Sequence, residues 1–143
     1  MKFENYMILE FPSKSSNEGF ARSAVACFAS QMDPTMEELG DIKTAVSEAV
    51  TNCIVHAYPD QLGVITIRCR ILKDHVLDIV IRDKGVGIGD LDQARQPMFT
   101  TGGAERSGMG FTIMESFMTS FSVRSTPGKG TVVHMRRKLH RRS

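Results

Sequence analysis

After its second helical stretch the hydrophobic period of this chain changes from helix to strand, and that change restricts the possible folds more than any other feature. Phe20, Ala24, Cys27, Phe28 and Met32 recur at helical spacing, and Leu39, Ile42, Val46, Ala49, Val50 and Cys53 do so again. From Val64 the pattern shortens. Val64, Ile65, Ile67, Cys69 and Ile71 alternate or cluster as a strand ending at Leu72, and Val76 to Arg82 makes a second strand after a turn at Lys73-Asp74. A loosely alternating first strand precedes the helices (Phe3, Met7, Leu9, Phe11). A closing hairpin follows: Phe121 to Ser125, the turn Pro127-Gly128-Lys129-Gly130, then Thr131 to Arg137. Between the two strand regions, Asp83 to Gly110 has no period and seven glycines, with a short helix expected around Leu91 to Arg95 and another over Phe111 to Phe117. A loop of this length inside a compact domain is usually functional. The pattern predicts one α+β domain, a two-layer sandwich with helices on one face of a mixed, mostly antiparallel sheet.

Helix starts are marked by residues that can cap them. Ser15-Ser16-Asn17-Glu18 and Thr35-Met36-Glu37-Glu38 each have the Ser/Thr-x-x-Glu spacing of a capping box. Asp33-Pro34 ends the first helix, and the second is expected to stop near Ala57, before Pro59.

Composition narrows the class. A chain of 143 residues with 41% apolar and 24% charged residues is ordinary for one soluble domain. No apolar run approaches the ~20 residues of a membrane span, and no basic region followed by an apolar stretch opens the chain, so a cytoplasmic protein without membrane attachment is expected. Cys27, Cys53 and Cys69 are scattered and odd in number, which argues against a zinc site or disulfide framework and for small apolar fillers in a reducing compartment. The net charge of +2 hides an asymmetry: the last eight residues hold five of the 18 basic ones, so the remainder sets 13 Lys and Arg against 16 Asp and Glu. Domain limits of 1–137 are expected, with a basic tail over 138–143. Such a tail is either a solvated terminus or a hold for an acidic partner. It lacks the interleaved aromatics of single-strand binding, and no direct nucleic-acid contact is expected.

Three short islands carry chemistry. Glu48, Asn52 and His56 fall at i, i+4 and i+8 and share a helix face, which either looks into water or lines a site. As a site, Asn52 offers a hard oxygen for Mg²⁺ with phosphates as the other ligands. Glu48, a turn away, is then placed to accept a proton from an attacking hydroxyl. Asp83 ends a strand and precedes Gly85 and Gly87. It is either a turn residue or the acceptor for an adenine amino group, with the glycines admitting the ring. Arg106-Ser107-Gly108-Met109-Gly110 opens a helix with free amides, a seat for phosphate, and Arg106 beside it can stabilise the transferring charge. No Walker sequence is present.

In their order, Glu48-x-x-x-Asn52, Asp83-x-Gly85-x-Gly87, Phe99-Thr100-Thr101, Gly108-x-Gly110 and Gly130-Thr131 resemble the GHKL ATPases, the superfamily of gyrase and the histidine kinases. The resemblance implies the Bergerat ATP-binding fold, with Mg-ATP or ADP held through Asn52 and adenine recognised by Asp83. It also implies support from Thr131, a lid between Gly87 and Gly108, and Glu48 as base. No phospho-acceptor hairpin or transducer domain is recognisable. Phe20-Ala21-Arg22, Asp33-Pro34-Thr35, His56-Ala57-Tyr58 and Arg95-Gln96-Pro97-Met98 extend the resemblance to the stand-alone anti-sigma factor serine kinases of the sporulation type. That family implies a homodimer that holds an RNA polymerase sigma factor and phosphorylates a serine of an anti-anti-sigma protein. Two departures stand out: Gly102-Gly103 makes the lid short and soft, and the basic tail has no counterpart role. Arg22 is either a sigma contact or a solvated charge. A stress-response kinase of the same family and a nucleotide-switched binding module without kinase activity are the alternatives.

Overall fold

The computed structural model describes residues 3–58, 61–86 and 110–140. Five strands, β1 (Phe3–Pro12), β2 (Val64–Leu72), β3 (Val76–Asp83), β4 (Ser120–Thr126) and β5 (Gly130–Lys138), form one sheet in the order β1-β2-β3-β5-β4. Every pairing among them is antiparallel, so the sheet is not mixed. Three helices, α1 (Asn17–Ala29), α2 (Met36–Asn52) and α3 (Gly110–Phe117), cover one face, with α2 packed between α1 and α3. This is the expected α+β two-layer sandwich.

The alternation of each strand sends one set of side chains under the helices. Ile65, Ile67, Ile79, Ile81 and Met135 meet Ile42, Val46, Val50 and Met114 there, all fully buried. These apolar residues exclude water from the layer, and their burial is the main force holding α2 to the sheet. The opposite face carries Arg68, Arg70, Asp78, His134 and Arg136. Asp78, with no exposed surface, accepts from Arg70 Nε (3.2 Å), Arg136 Nε (2.8 Å) and His134 Nε2 (2.5 Å). Burial alone would raise its pKa, but the hydrogen bonds from His134 and Arg136 outweigh that and hold the carboxyl below its ordinary range.

Only one of the two expected capping boxes forms. Thr35 Oγ1 accepts from the Glu38 amide (3.1 Å), and the Glu38 carboxylate accepts from the Thr35 amide (2.9 Å). At α1 no side chain caps the helix. Glu18 is drawn away instead: Ser47 Oγ donates to its carboxylate at 2.5 Å, and Arg22 lies 3.5 Å from it. A contact from α2 thus outcompetes the local cap. Arg22 keeps 43% of its side chain exposed. The helical stretch continues past Ala29 as a 3₁₀ turn to Met32, and Asp33 reverses it with φ 52°.

The start of the basic tail is docked, not frayed. β5 runs through Lys138, Leu139 is 3% exposed, and its amide donates to the His75 carbonyl. The His140 amide donates to Glu38 Oε2 at 2.6 Å, and Arg137 pairs with Asp41 at 2.8 Å. Among the described residues no helix is long and apolar enough to cross a membrane.

Candidate nucleotide site

α2 does not end as a plain α-helix. After Asn52 the chain widens into a π turn, Cys53–Ala57. Glu48 and Asn52 therefore keep α spacing on one face, but His56 lies beyond the change of period and does not extend their stripe in register. The last carbonyls of a helical segment have no partner within it. Ala57 O is one of these: it accepts from the Val86 amide at 3.0 Å, fixing the turn after β3 against the end of α2.

That turn needs glycine for contact reasons. A methyl group on Gly85 would lie 2.2 Å from Ala57 O, which only backbone movement could relieve. On its other side, the Gly128 amide donates to Val86 O at 2.7 Å, so the segment is clamped between α2 and the β4–β5 turn. Gly130, at φ 116°, passes so close to Asp83 that a methyl would stand 2.2 Å from its carbonyl oxygen.

The result is a fixed carboxylate. Asp83 is 6% exposed at the end of β3, in register with Thr131 of β5. Its Oδ1 accepts from the Gly85 amide (3.0 Å) and the Thr131 amide (3.1 Å), and its Oδ2 accepts from the Cys53 thiol (3.4 Å). Burial, and after it the charge of Asp83, push the Cys53 thiol well above its ordinary pKa, so it stays a proton donor. Thr131 Oγ1 stands 2.7 Å from Ser125 Oγ, which ties the second strand of the closing hairpin to the first beside the carboxylate.

One residue away from Cys53, α3 begins against the polar face of α2. A methyl on Gly110 would lie 3.1 Å from Asn52 Nδ2 and 3.3 Å from Glu48 Oε2. The first turn of α3 thus presses its backbone onto both side chains. The structure brings together Glu48, Asn52 and Gly110 on one side, and Asp83, Gly85 and Thr131 on the other, with Asn52-Cys53 as the link. Gly87, Thr100, Thr101, Arg106, Ser107, Gly108 and Met109 lie outside the described residues, as do the Leu91–Arg95 helix and Gly102-Gly103. Among the described residues no group of three or more His, Cys, Asp or Glu side chains could hold a metal ion by itself. A cation here would need oxygens from a bound ligand beside Asn52.

Sequence reading missed Cys53 as a partner of Asp83, since the two are 30 residues apart and a thiol on an apolar helix face reads as filler. It also missed Tyr58, whose hydroxyl accepts from the Lys84 amide (2.7 Å) and donates to Val64 O (2.9 Å). Position within the His56-Ala57-Tyr58 triplet was the only available signal.

Comparison with known proteins agrees with this geometry. The histidine kinase-like ATPase domain matches residues 11–137. The anti-sigma F factor of Caldanaerobacter subterraneus subsp. tengcongensis is 57% identical over 142 residues, covering 99% of both chains. That of Pasteuria penetrans is 56% identical over 137 residues, covering 94% of this chain and 91% of its own. Among solved structures, the RsbU and RsbW domains of Rv1364c from Mycobacterium tuberculosis superpose with a TM-score of 0.73 at 15% identity, over 98% of this chain and 34% of that one. A histidine kinase domain from Erythrobacter litoralis gives a TM-score of 0.59 at 23% identity, over 85% of this chain and 61% of that one. Both structures share the fold. The domain match over residues 11–137, with relatives more than half identical along nearly the whole length, places the chain in the histidine kinase-like ATPase family and, within it, among the anti-sigma F factors.

Proposed function

We propose that this chain holds a sporulation sigma factor inactive and, with Mg-ATP, phosphorylates a serine on an anti-anti-sigma protein. The observation that carries the reading is the convergence of Glu48, Asn52 and Gly110 one residue along α2 from the buried Asp83 cradle. The residues fit the nucleotide. Asp83 is a desolvated acceptor for an amino group, held by the Gly85 and Thr131 amides, and Gly130 keeps a side chain away from its backbone. Asn52 would supply one oxygen ligand to a cation bound together with the phosphates. Thr131 steadies the base end through its amide to Asp83.

ATP supplies the phosphoryl group, and the work left to the protein is alignment and charge stabilisation. Glu48 accepts the proton of the incoming serine hydroxyl. Asn52 would hold the cation, which would supply charge neutralisation at the phosphates. Arg106, Ser107 and the amides of Gly108, Met109 and Gly110 are assigned to charge on the transferring group, and Gly87, Thr100 and Thr101 to nucleotide binding. The working form is a cytoplasmic homodimer, with Arg22 as one contact to the sigma factor.

Incubation with labelled ATP and the anti-anti-sigma protein tests the reading. Glu48→Ala should lower transfer by about 100-fold or more, the usual scale of a general base, with nucleotide affinity little changed. Asn52→Ala should lose magnesium-dependent nucleotide affinity. Transfer at the normal rate in Glu48→Ala removes the base assignment. Absence of transfer in the unmodified protein, with sigma binding intact, would leave a nucleotide-switched binding module.

A further inference from the structure

Asp83 has a countable set of acceptor positions. A carboxylate offers about four, two on each oxygen. Among the described residues, Oδ1 accepts two backbone amides, from Gly85 and Thr131, and is full. Oδ2 accepts one donor, the Cys53 thiol at 3.4 Å. One position therefore remains on Oδ2, and its direction depends on where the thiol stands. The thiol has little freedom. Cys53 is 4% exposed and opens the π turn, whose far end is held by the bond between Ala57 O and the Val86 amide.

We propose that Cys53 is a specificity-determining positioning residue: its thiol fills one lone pair of Asp83 Oδ2, aims the other at an exocyclic amino group, and so makes the site prefer a 6-amino purine over a 6-oxo purine. The proposal rests on the reading of Asp83 as the base-recognising carboxylate. With the thiol in place, a 6-oxo purine sets its carbonyl against a desolvated acceptor that has no proton to share, and both groups stay unpaired. With the thiol gone, the carboxylate can turn about its Oδ1 bonds or take up a water molecule that donates to either kind of base. The amino purine then loses its aligned acceptor and the oxo purine loses its penalty.

The measurement is the ratio of dissociation constants for ADP and IDP, by titration calorimetry on the full-length chain and three variants. Cys53→Ala should reduce the preference for ADP about fivefold, the scale of one hydrogen bond. Cys53→Ser, which keeps a donor, should hold the preference within about twofold of the parent. A cavity effect alone would weaken both nucleotides alike, so an unchanged ratio in Cys53→Ala overturns the proposal, as does a Ser variant that behaves like Ala. Asp83→Asn separates the two levels. If the preference survives in Asp83→Asn, the carboxylate is not the base reader and both readings fall. If it vanishes there but persists in Cys53→Ala, only the role of the thiol fails.

Discussion

Gly110→Ala should separate function from stability. The added methyl would stand 3.1 Å from Asn52 Nδ2, 3.3 Å from Asn52 Oδ1 and 3.3 Å from Glu48 Oε2. Ordinary carbon contacts begin near 3.4 Å, so both side chains must retreat by a few tenths of an ångström. They can do so, since both are side-chain ends and no backbone atom is among the near neighbours. The fold should change little, because Gly110 is the first residue of its helix, where the glycine penalty of a helix interior does not apply in full. Chemistry is less tolerant. A misplacement of ~1 Å costs roughly 100-fold, so half that should cost about tenfold, equivalent to ~1.4 kcal/mol on the barrier. The assay pairs a thermal melt with the rate of phosphate transfer to the anti-anti-sigma protein. The expected outcome is an unchanged or higher melting temperature with transfer down about tenfold. An unchanged rate would refute the view that the tight approach of α3 shapes the site. A lowered melting temperature with a matching loss of rate would refute the separation.

The remaining predictions concern the frame around the site. Asp78→Asn should destabilise the protein by about 3 kcal/mol at pH 7, near the low end for breaking a buried ion pair. The end is low because Arg68, Arg136 and His134 each keep roughly a third of their side chains in water. That loss corresponds to a melting temperature lower by ~10 °C. Since folding depresses the Asp78 pKa, its contribution is complete above the ordinary carboxyl value of ~3.9 and disappears as pH falls through the lower folded value. The gap in urea midpoint between parent and variant should therefore not shrink between neutral pH and ~5 and should narrow only in stronger acid; a gap that closes between pH 7 and 5 would contradict this. Gly85→Ala, with its methyl 2.2 Å from Ala57 O, should cost more than ~2 kcal/mol and abolish nucleotide binding. Gly40→Ala, with open space around the new methyl, should stabilise by up to ~1 kcal/mol and leave binding unchanged. Melts and nucleotide titrations of the pair check both.

Much of this architecture was legible because one-sided burial writes its period directly into the sequence. The helices over Asn17–Ala29 and Met36–Asn52 and the strands over Val64–Leu72 and Val76–Asp83 follow the apolar spacing closely. Local chemistry sufficed where competitors were absent: Thr35 and Glu38 close their box, and Gly85 sits where the backbone must pass close. It failed where a distant group won. Glu18 reads as a cap by spacing, yet Ser47 and Arg22 take its carboxylate. The pairing of β3 with β5 instead of β4 is set by the whole sheet, and no local spacing encodes it. The site was readable as a set of residues but not as contacts. Nothing in the spacing of Glu48, Asn52 and Gly110 says that a glycine backbone touches both side chains, and nothing around Cys53 announces Asp83 as its partner.

The last strand made is not an edge of the sheet: β5 lies between β3 and β4. Its residues supply Val133 and Met135 to the core, the Thr131 amide to Asp83, and His134 and Arg136 to Asp78. A chain still being synthesised lacks all of these at once. Until β5 leaves the ribosome, β3 has an open edge, Asp78 is an under-paired buried charge, and the Asp83 carboxylate lacks one of its two amides. The surroundings of Asp83 therefore cannot assemble until β5 has been synthesised and has paired with β3.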